Sequence, residues 1–241
     1  MSFEKGLTEL RSTKPHELAR NVLRVFCVIF VDRLLLVPAK NHTKPSVAKG
    51  SKLKRRAVFI DRDGTLSDEV GYINHPSRFR LFPYAAGAIH HLNENGWLAI
   101  LTTNQAGVAR GYFSEDMIAA VHEQMTVELE SGGARLDAIY YCAHHPSVGE
   151  APYRFDCDCR KPKPGLISRA ARDFEIDLNE SWMVGDRYSD VELARNAGVK
   201  SAFVLSGYGR GEWEHQRPNW KEQPDLVAEN LWEAVRLIVD D

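Results

Sequence analysis

The sequence predicts an α/β protein built on a central parallel sheet. Short apolar runs recur from Ala57 onward, and longer amphipathic runs separate them. Strands that are buried on both faces and joined by helices form a parallel sheet with right-handed crossovers. The apolar share of the 241 residues, 44%, is sufficient for the core of one such domain. We therefore expect one α/β domain with helices packed on the sheet.

The apolar periodicity places each element along the chain. Five strands are predicted, at residues 57–60, 98–102, 138–141, 182–184 and 201–205. Four helices are predicted between them, at residues 84–95, 115–130, 165–174 and 190–197. Pro83 precedes the first helix, and Ser114 is the expected N-cap of the second. From Pro224 onward, the apolar spacing predicts a C-terminal helix packed on the domain.

Residues 1–56 are predicted to be an extension and basic linker in front of a domain of residues 57–241. Residues 40–56 are basic, contain no acidic residue and include Pro, Gly and Ser, which is typical of a solvated tether. Residues 23–39 are strongly apolar, but Asp32 and Arg33 lie at their middle. We expect an accessory segment here and no membrane span, with Cys27 as a buried small apolar residue.

Composition favours a small molecule as the partner. The formal net charge is −2 and the basic residues are spread along the chain, so neither nucleic acid nor a membrane surface is expected to bind. Four cysteines, three of them clustered, do not form the scattered framework of a disulfide-stapled secreted domain. The chain does not open with a secretory signal. We therefore expect a cytoplasmic protein.

Acidic side chains follow two of the predicted strands, at the sheet edge where ligands bind. Asp61 and Asp63 come directly after the first strand, and Gly64 allows a tight turn. A divalent cation would offset the repulsion of these carboxylates, leaving Asp61 able to attack an electrophile and Asp63 able to exchange a proton. Asp186 follows a later strand and is the candidate third metal carboxylate, with Asp190 one turn further on.

Polar and cationic side chains complete this edge. Thr103 and Asn104 end the second strand, and either can hold a phosphoryl oxygen. Arg160 and Lys161 are cations suited to neutralise charge on a phosphoryl group in transfer. Each residue alone also has a structural interpretation, as a cap or a solvated charge. Their order along the chain, directly after apolar strands, favours a common site.

Three cysteines and one histidine lie in two close-set pairs: Cys142 with His144, and Cys157 with Cys159. A Cys3His set suits tetrahedral zinc, and zinc without an open coordination position is structural. His145 is a competing ligand by sequence. Because Cys159 directly precedes Arg160, we expect the metal to fix the loop that carries both cations of the site.

These residues resemble the four motifs of the haloacid dehalogenase superfamily of phosphohydrolases, over about residues 58–209. More narrowly, GYINHP, TNQAGVARGYF, YYCAHHP, CDCRKPKPG and SWMVGDRYSDVELA resemble the D-glycero-D-manno-heptose-1,7-bisphosphate 7-phosphatases. Ala143 stands where a proline is usual in that family. The resemblance implies a Rossmann-like three-layer sandwich with a zinc-bound loop, a small lid of several loops and no large cap. It also implies catalytic magnesium, a small sugar phosphate as substrate, and a monomer.

The resemblance implies a role for each site residue. Asp61 is the nucleophile that forms an aspartyl-phosphate, Asp63 is the general acid and then the base, and Thr103 and Lys161 hold the phosphoryl group. The implied magnesium ligands are Asp61, Asp63 and Asp186. Zinc falls to the Cys3His set with His144 favoured over His145. The residues implied to contact substrate are Glu69, Val70, Gly71, Tyr72, Asn104, Gln105, Ala106, Arg160 and Arg187.

Two further interpretations compete with a heptose phosphatase of the pathway to lipopolysaccharide or other heptose glycoconjugates. Histidinol-phosphate phosphatases share the four motifs and the zinc loop, but TNQAGVARGYF and the long connection of residues 145–156 are closer to the heptose family. A zinc-stabilised binding module, with residues 40–56 as a contact for nucleic acid, is the non-enzymatic alternative. The complete set of Asp61, Asp63, Lys161 and Asp186 argues against it.

Overall fold

The computed structural model describes residues 54–240. Within them, six strands form one parallel sheet in the order β3-β2-β1-β4-β5-β6. The strands are β1 Ala57–Ile60, β2 Leu98–Asn104, β3 Ala138–Cys142, β4 Trp182–Gly185, β5 Lys200–Val204 and β6 Leu226–Ala228. The helices are α1 Ala85–Glu94, α2 Glu115–Ser131, α3 Gly165–Phe174, α4 Tyr188–Ala197, α5 Gly209–His215 and α6 Leu231–Asp240. Short 3-10 turns lie at Pro76–Arg78, Leu178–Glu180 and Arg217–Asn219.

The sheet is the middle layer of a three-layer sandwich. Along β1, Val58 and Ile60 face a core shared with α1, α2 and α6, while Ala57 and Phe59 face a second core shared with α3 and α4. All four β1 residues are fully buried, which explains the continuous apolar run in the sequence. Burial of a side chain such as Phe59 contributes about 1.5–3 kcal/mol to stability. The predicted fold class is therefore confirmed.

Near the C-terminus, one prediction is wrong and one helix was missed. Leu226–Ala228 was expected to belong to the C-terminal helix, but it is the edge strand β6, which pairs with β5 through Ala202 to Val204. Three residues are too few to display a strand period, so the apolar spacing of the following helix dominated the pattern. The helix α5 was not predicted at all. The other predicted strands and helices are present, with ends displaced by at most two residues.

Most of the predicted N-terminal extension lies outside the described residues, including residues 23–39, Cys27 and the linker up to residue 53. Arg55 and Arg56, at the end of the predicted linker, already contact the domain. The backbone of Arg55 pairs with that of Ile176. The Arg56 guanidinium lies 4.3 Å from the centre of the Trp97 ring. Among the described residues, no helix is both long and apolar enough to cross a membrane.

Candidate active site

The strand order brings the predicted catalytic residues to one edge of the sheet. β1 lies between β2 and β4, so Asp61 after β1 has Thr103 of β2 on one side and Asp186 after β4 on the other. The Asp61 amide continues the ladder by donating to the Val184 carbonyl at 2.9 Å. Residues from three separate parts of the sequence thus converge at the carboxyl ends of the strands.

Three buried carboxylates form the centre of this edge. Oxygens of Asp61, Asp186 and Asp190 lie within 4.8 Å of one another. The Lys161 ammonium bridges two of them, at 2.8 Å from an oxygen of Asp61 and 2.8 Å from an oxygen of Asp190. One cation therefore faces three carboxylates, and the cluster carries an excess of negative charge.

The titration of these groups reflects their burial first and their mutual charges second. Burial raises the pKa of Asp61 to about 7, against the opposing charge of Lys161. Burial and the charges of Asp61 and Asp190 raise the pKa of Asp186 as well. For Lys161, burial favours loss of the proton, but the charges of Asp190 and Asp61 outweigh it and raise the pKa. Three clustered carboxylates whose charge is only partly balanced by one lysine fit a hard divalent ion such as magnesium.

Two glycines allow the Asp186 carboxylate to reach its position. The Tyr208 amide donates to Asp186 Oδ2 at 2.8 Å. A Cβ added at Gly64, where φ is +86°, would lie 2.2 Å from that same oxygen. A Cβ at Gly207, where φ is +54°, would lie 2.3 Å from it. Both positions need a left-handed backbone and the absence of a side chain, which only glycine supplies without strain. Gly64 was predicted as a turn, whereas Gly207 was not singled out.

The Asp63 carboxylate points away from this cluster. Arg62 donates to both of its oxygens, from Nε at 3.0 Å and from Nη2 at 2.9 Å. Gln105 Nε2 donates to it as well, at 2.9 Å. The sequence predicted Asp61, Asp63 and Asp186 as magnesium ligands; the structure brings the carboxylates of Asp61 and Asp186 together with that of Asp190, while the Asp63 side chain faces Arg62. The buried charge of Arg62 is the physical reason, because it holds Asp63 on the other side.

The second strand positions the loop of Lys161. Asn104 Oδ1 accepts from the Lys161 amide at 3.1 Å, and Asn104 Nδ2 donates to the Lys161 carbonyl at 3.3 Å. Gln105 Nε2 also donates to the Thr103 hydroxyl at 3.0 Å. The amide of Asn104 therefore binds main chain, and the Thr103 hydroxyl is joined to Asp63 through Gln105.

Two adjoining cavities open at this edge, of about 290 Å³ and 260 Å³. They share Asp63, Glu69, Asn104 and Arg187. The first is also lined by Asp61, Thr103, Arg160, Lys161 and Ser189, and the second by Gly71, Tyr72, Gln105, Ala106 and Tyr208. All predicted substrate contacts except Val70 thus line one cavity or the other. Val70 lines neither, and Ser189 and Tyr208 join the set although no motif of the sequence marked them.

Aromatic and cationic side chains hold the loops around these cavities. Arg78 donates to the carbonyls of Val70 and Tyr72, at 3.0 and 3.1 Å, and so fixes the segment after the first motif. The Tyr72 ring meets the Tyr112 ring edge-on at 4.8 Å. Arg187 pairs with Glu212 at 2.6 Å, which orients its guanidinium at the cavity wall. Short loops held by these contacts therefore surround the two cavities.

The four predicted zinc donors also come together. Atoms of Cys142, His144, Cys157 and Cys159 lie within 4.8 Å of one another. Sulfur-to-sulfur distances are 3.2–3.5 Å, and the three cysteines are free. Tetrahedral zinc separates its sulfur ligands by about 3.8 Å, given Zn–S bonds of about 2.3 Å. Hydrogen bonds from Cys142 and its neighbours lower the pKa of Cys159 to about 5, which favours the thiolate that a metal needs.

The structure distinguishes the two adjacent histidines. His144 Nδ1 lies 3.3 Å from the sulfur of Cys159, within the cluster. His145 Nε2 lies 3.3 Å from Arg110 instead, and its Nδ1 accepts from main-chain amides. Arg160 Nη1 donates to the His144 carbonyl at 3.3 Å, so the cluster is joined directly to a cation of the active-site cavity.

The parallel sheet, its strand-end Asp and Thr side chains and the lysine of the loop before α3 define a hydrolase of the haloacid dehalogenase type. The model of the HAD-hydrolase-like family matches residues 158–234. This chain is 40% identical, over 184 residues, to the D-glycero-beta-D-manno-heptose-1,7-bisphosphate 7-phosphatase of Pasteurella multocida. The alignment covers 76% of this chain and 97% of that relative. The chain therefore belongs to the D-glycero-D-manno-heptose-1,7-bisphosphate 7-phosphatase family, as the sequence predicted.

Two further similarities agree with that assignment. The Thermosynechococcus vestitus D-glycero-D-manno-heptose-1,7-bisphosphate 7-phosphatase is 42% identical over 194 residues, with 77% of this chain and 96% of the relative covered. The crystal structure of D,D-heptose 1,7-bisphosphate phosphatase from B. bronchiseptica, complexed with magnesium and phosphate, aligns with a TM-score of 0.68 and 30% identity. That alignment covers 77% of this chain and 98% of the other. These similarities do not favour a histidinol-phosphate phosphatase.

Proposed function

We propose that this protein is a magnesium-dependent phosphatase that removes the 7-phosphate of D-glycero-D-manno-heptose 1,7-bisphosphate. The product would serve the synthesis of lipopolysaccharide or other heptose-containing glycoconjugates. The observation that carries the proposal is Asp61, which lies at a cavity wall, 2.8 Å from the Lys161 ammonium and within a cluster of carboxylates. A carboxylate so placed can attack phosphorus while cations neutralise the phosphoryl oxygens.

Each step of the reaction is assigned to a residue of this chain. An oxygen of Asp61 attacks phosphorus, and the bond from phosphorus to the C7 oxygen breaks. Asp63 gives its proton to that leaving oxygen, so that a neutral hydroxyl departs. Asp63 then takes a proton from water, which attacks the aspartyl-phosphate, releases inorganic phosphate and restores Asp61. Lys161 and the Thr103 hydroxyl hold the phosphoryl oxygens throughout.

Asp61 and Asp186 would hold the magnesium ion with Asp63, the third ligand that the sequence predicts, and the carboxylate of Asp190 adds negative charge beside them. When bound, magnesium supplies positive charge that keeps carboxylates ionised and reduces their repulsion from the phosphate. The chain itself orients these carboxylates: the Tyr208 amide holds Asp186, and the Arg187 amide donates to Asp190 at 3.2 Å. Lys161 supplies the charge that remains whether or not the ion is present.

Cys142, His144, Cys157 and Cys159 would hold a structural zinc ion, which takes no part in bond breaking. Its effect reaches the cavity through Arg160, which donates to the His144 carbonyl and lines the cavity wall. Arg160 and Arg187 line this cavity beside Lys161 and add cations for the phosphates of a sugar bisphosphate. A monomeric, cytoplasmic enzyme without a nucleic-acid or membrane partner remains the expectation from the sequence.

Phosphate release from both anomers of D-glycero-D-manno-heptose 1,7-bisphosphate and from histidinol phosphate, with magnesium, tests this function. We expect kcat/KM for a heptose bisphosphate to exceed that for histidinol phosphate by at least about 100-fold, since contacts to the second phosphate are lost. D61N should reduce turnover by about 10³-fold or more because it removes the nucleophile. A preference for histidinol phosphate would refute the substrate, and activity retained in D61N would refute the mechanism.

A further inference from the structure

Arg62, between the two carboxylates of the first motif, carries a fully buried guanidinium. Its side chain is only 1% exposed. Nε and Nη2 donate to the two oxygens of Asp63, at 3.0 and 2.9 Å. A planar fork that faces both oxygens fixes the orientation of a carboxylate as well as its distance. Arg62 therefore contacts both oxygens of the Asp63 carboxylate and, with Gln105 Nε2 on one of them, sets its direction.

The far side of the Arg62 guanidinium is held by a histidine of α2. Arg62 Nη1 donates to His122 Nε2 at 3.2 Å, and His122 is itself buried. Burial, and then the charge of Arg62, lower the pKa of His122 to about 3. The imidazole is therefore neutral at working pH, and because Nε2 accepts, its proton resides on Nδ1. The ring packs edge-on against Tyr141, at 5.9 Å between centroids.

Burial makes the acceptor at His122 necessary. A buried guanidinium that loses a hydrogen-bond partner pays a desolvation penalty, so it moves toward whatever acceptor remains. His122 is the acceptor for Nη1, while Asp63 satisfies the other side of the fork. Proton transfer needs the donor oxygen of the acid within hydrogen-bond reach of the leaving oxygen, so a turned guanidinium would misplace Asp63.

We infer that His122 is a positioning residue of this enzyme, which acts through Arg62 to orient Asp63 for proton transfer to the leaving oxygen. His122 lines neither cavity, so it influences the reaction without contacting the substrate. The inference rests on the proposed role of Asp63 as the general acid. No sequence motif marks His122, which lies in the middle of an amphipathic helix.

The leaving group separates this role from a structural one. The C7 alkoxide is a poor leaving group that needs a proton, whereas p-nitrophenolate leaves without one. We expect D63N to lower kcat/KM for the heptose bisphosphate by about 10²–10⁴-fold and to affect p-nitrophenyl phosphate far less. H122L should also lower kcat/KM, but by less: about 10-fold for the heptose bisphosphate and less than about 2-fold for p-nitrophenyl phosphate.

Two variants control the comparison. H122Q keeps an oxygen that can accept from Arg62 and should restore most of the loss. M125A, at a buried position of the same helix, should lower stability but leave the ratio of the two kcat/KM values unchanged. If H122L does not fold, H122N provides the test, because its shorter amide withdraws the acceptor yet remains polar.

Equal losses on both substrates in H122L, or no rescue by H122Q, would overturn the inference. If D63N itself does not discriminate between the substrates, the acid role of Asp63 is wrong, and the inference falls with it. A wild-type enzyme that cleaves only the aryl phosphate would refute the proposed function alone. Crystal structures of wild type and H122L then decide: the pairing of Arg62 with Asp63 should be broken in the variant, and an unchanged pairing would overturn the inference.

Discussion

Replacement of Lys161 by methionine removes the cation at the centre of the carboxylate cluster and keeps the length of the side chain. Lys161 is 3% exposed and Asp190 is 2% exposed, with 2.8 Å between the charged atoms. Removing one partner of such a buried pair typically costs about 3–5 kcal/mol, because the other charge stays buried without compensation. The variant would leave a second carboxylate, Asp61, without its partner as well, because Lys161 also lies 2.8 Å from an oxygen of Asp61.

Protonation limits the loss in K161M. Without the ammonium, the carboxylates can be neutralised by protons. A shift of one unit in the pKa of a carboxylate corresponds to about 1.4 kcal/mol. We therefore expect the loss of stability to be larger at pH 8 than at pH 5.5. Added magnesium should recover part of it, since the cation replaces the missing charge at the same carboxylates.

K163M is the matched control, two residues further along the same loop. Lys163 is 44% exposed and its partner Asp156 is 72% exposed, so their ion pair should contribute only about 0–1 kcal/mol. Urea unfolding followed by circular dichroism gives the comparison. For an m-value of about 2 kcal/mol/M, the midpoint of K161M should fall by roughly 2 M and that of K163M by less than about 0.5 M. Equal shifts in the two variants would refute the reasoning.

Three other measurements test the site. G64A should lower the melting temperature and abolish magnesium binding, because its Cβ would lie 2.2 Å from an oxygen of Asp186. G71A, at φ +75° with open space around the added Cβ, should lower stability by only about 1–2 kcal/mol. Equal effects of the two variants would contradict this. Magnesium should raise the melting temperature more at pH 8 than at pH 5.5. With its pKa raised to about 7, Asp61 makes the metal-free fold lose stability as pH rises through 7, and protons compete with the ion below it. C157S should hold less than one zinc per chain by elemental analysis and lose kcat/KM through Arg160; zinc-free protein with full activity would contradict that.

The sequence predicted the parts of the fold that depend on repeated burial. β1 and β2 are recognisable because both faces of each strand are buried against apolar layers, which requires a continuous apolar run. The helix α3 is recognisable from its amphipathic period. β6 was missed because it has three residues at the edge of the sheet, where pairing with β5 and not its own pattern makes it a strand. Ser114 does occupy the N-cap of α2, although its side chain makes no capping hydrogen bond.

For the site, the sequence predicted where residues lie along the chain, but not where their side chains point. Strand ends indicated which carboxylates gather at the edge, but not that Asp63 turns to Arg62 while Asp190 turns inward. Nothing in the sequence distinguishes a buried arginine from a solvated one, so the role of Arg62 required the packing of α2 against the first motif. Spacing left His144 and His145 equivalent, and only the placement of their rings separates them.

The most direct measurement is the ³¹P NMR spectrum of the products formed from D-glycero-D-manno-heptose 1,7-bisphosphate with magnesium. We predict that the signal of the phosphate on C7 disappears, that inorganic phosphate appears in equal amount, and that the anomeric phosphate remains on the sugar. Loss of the anomeric phosphate in its place, or no turnover of either anomer by protein that retains its metals, would contradict the proposed function.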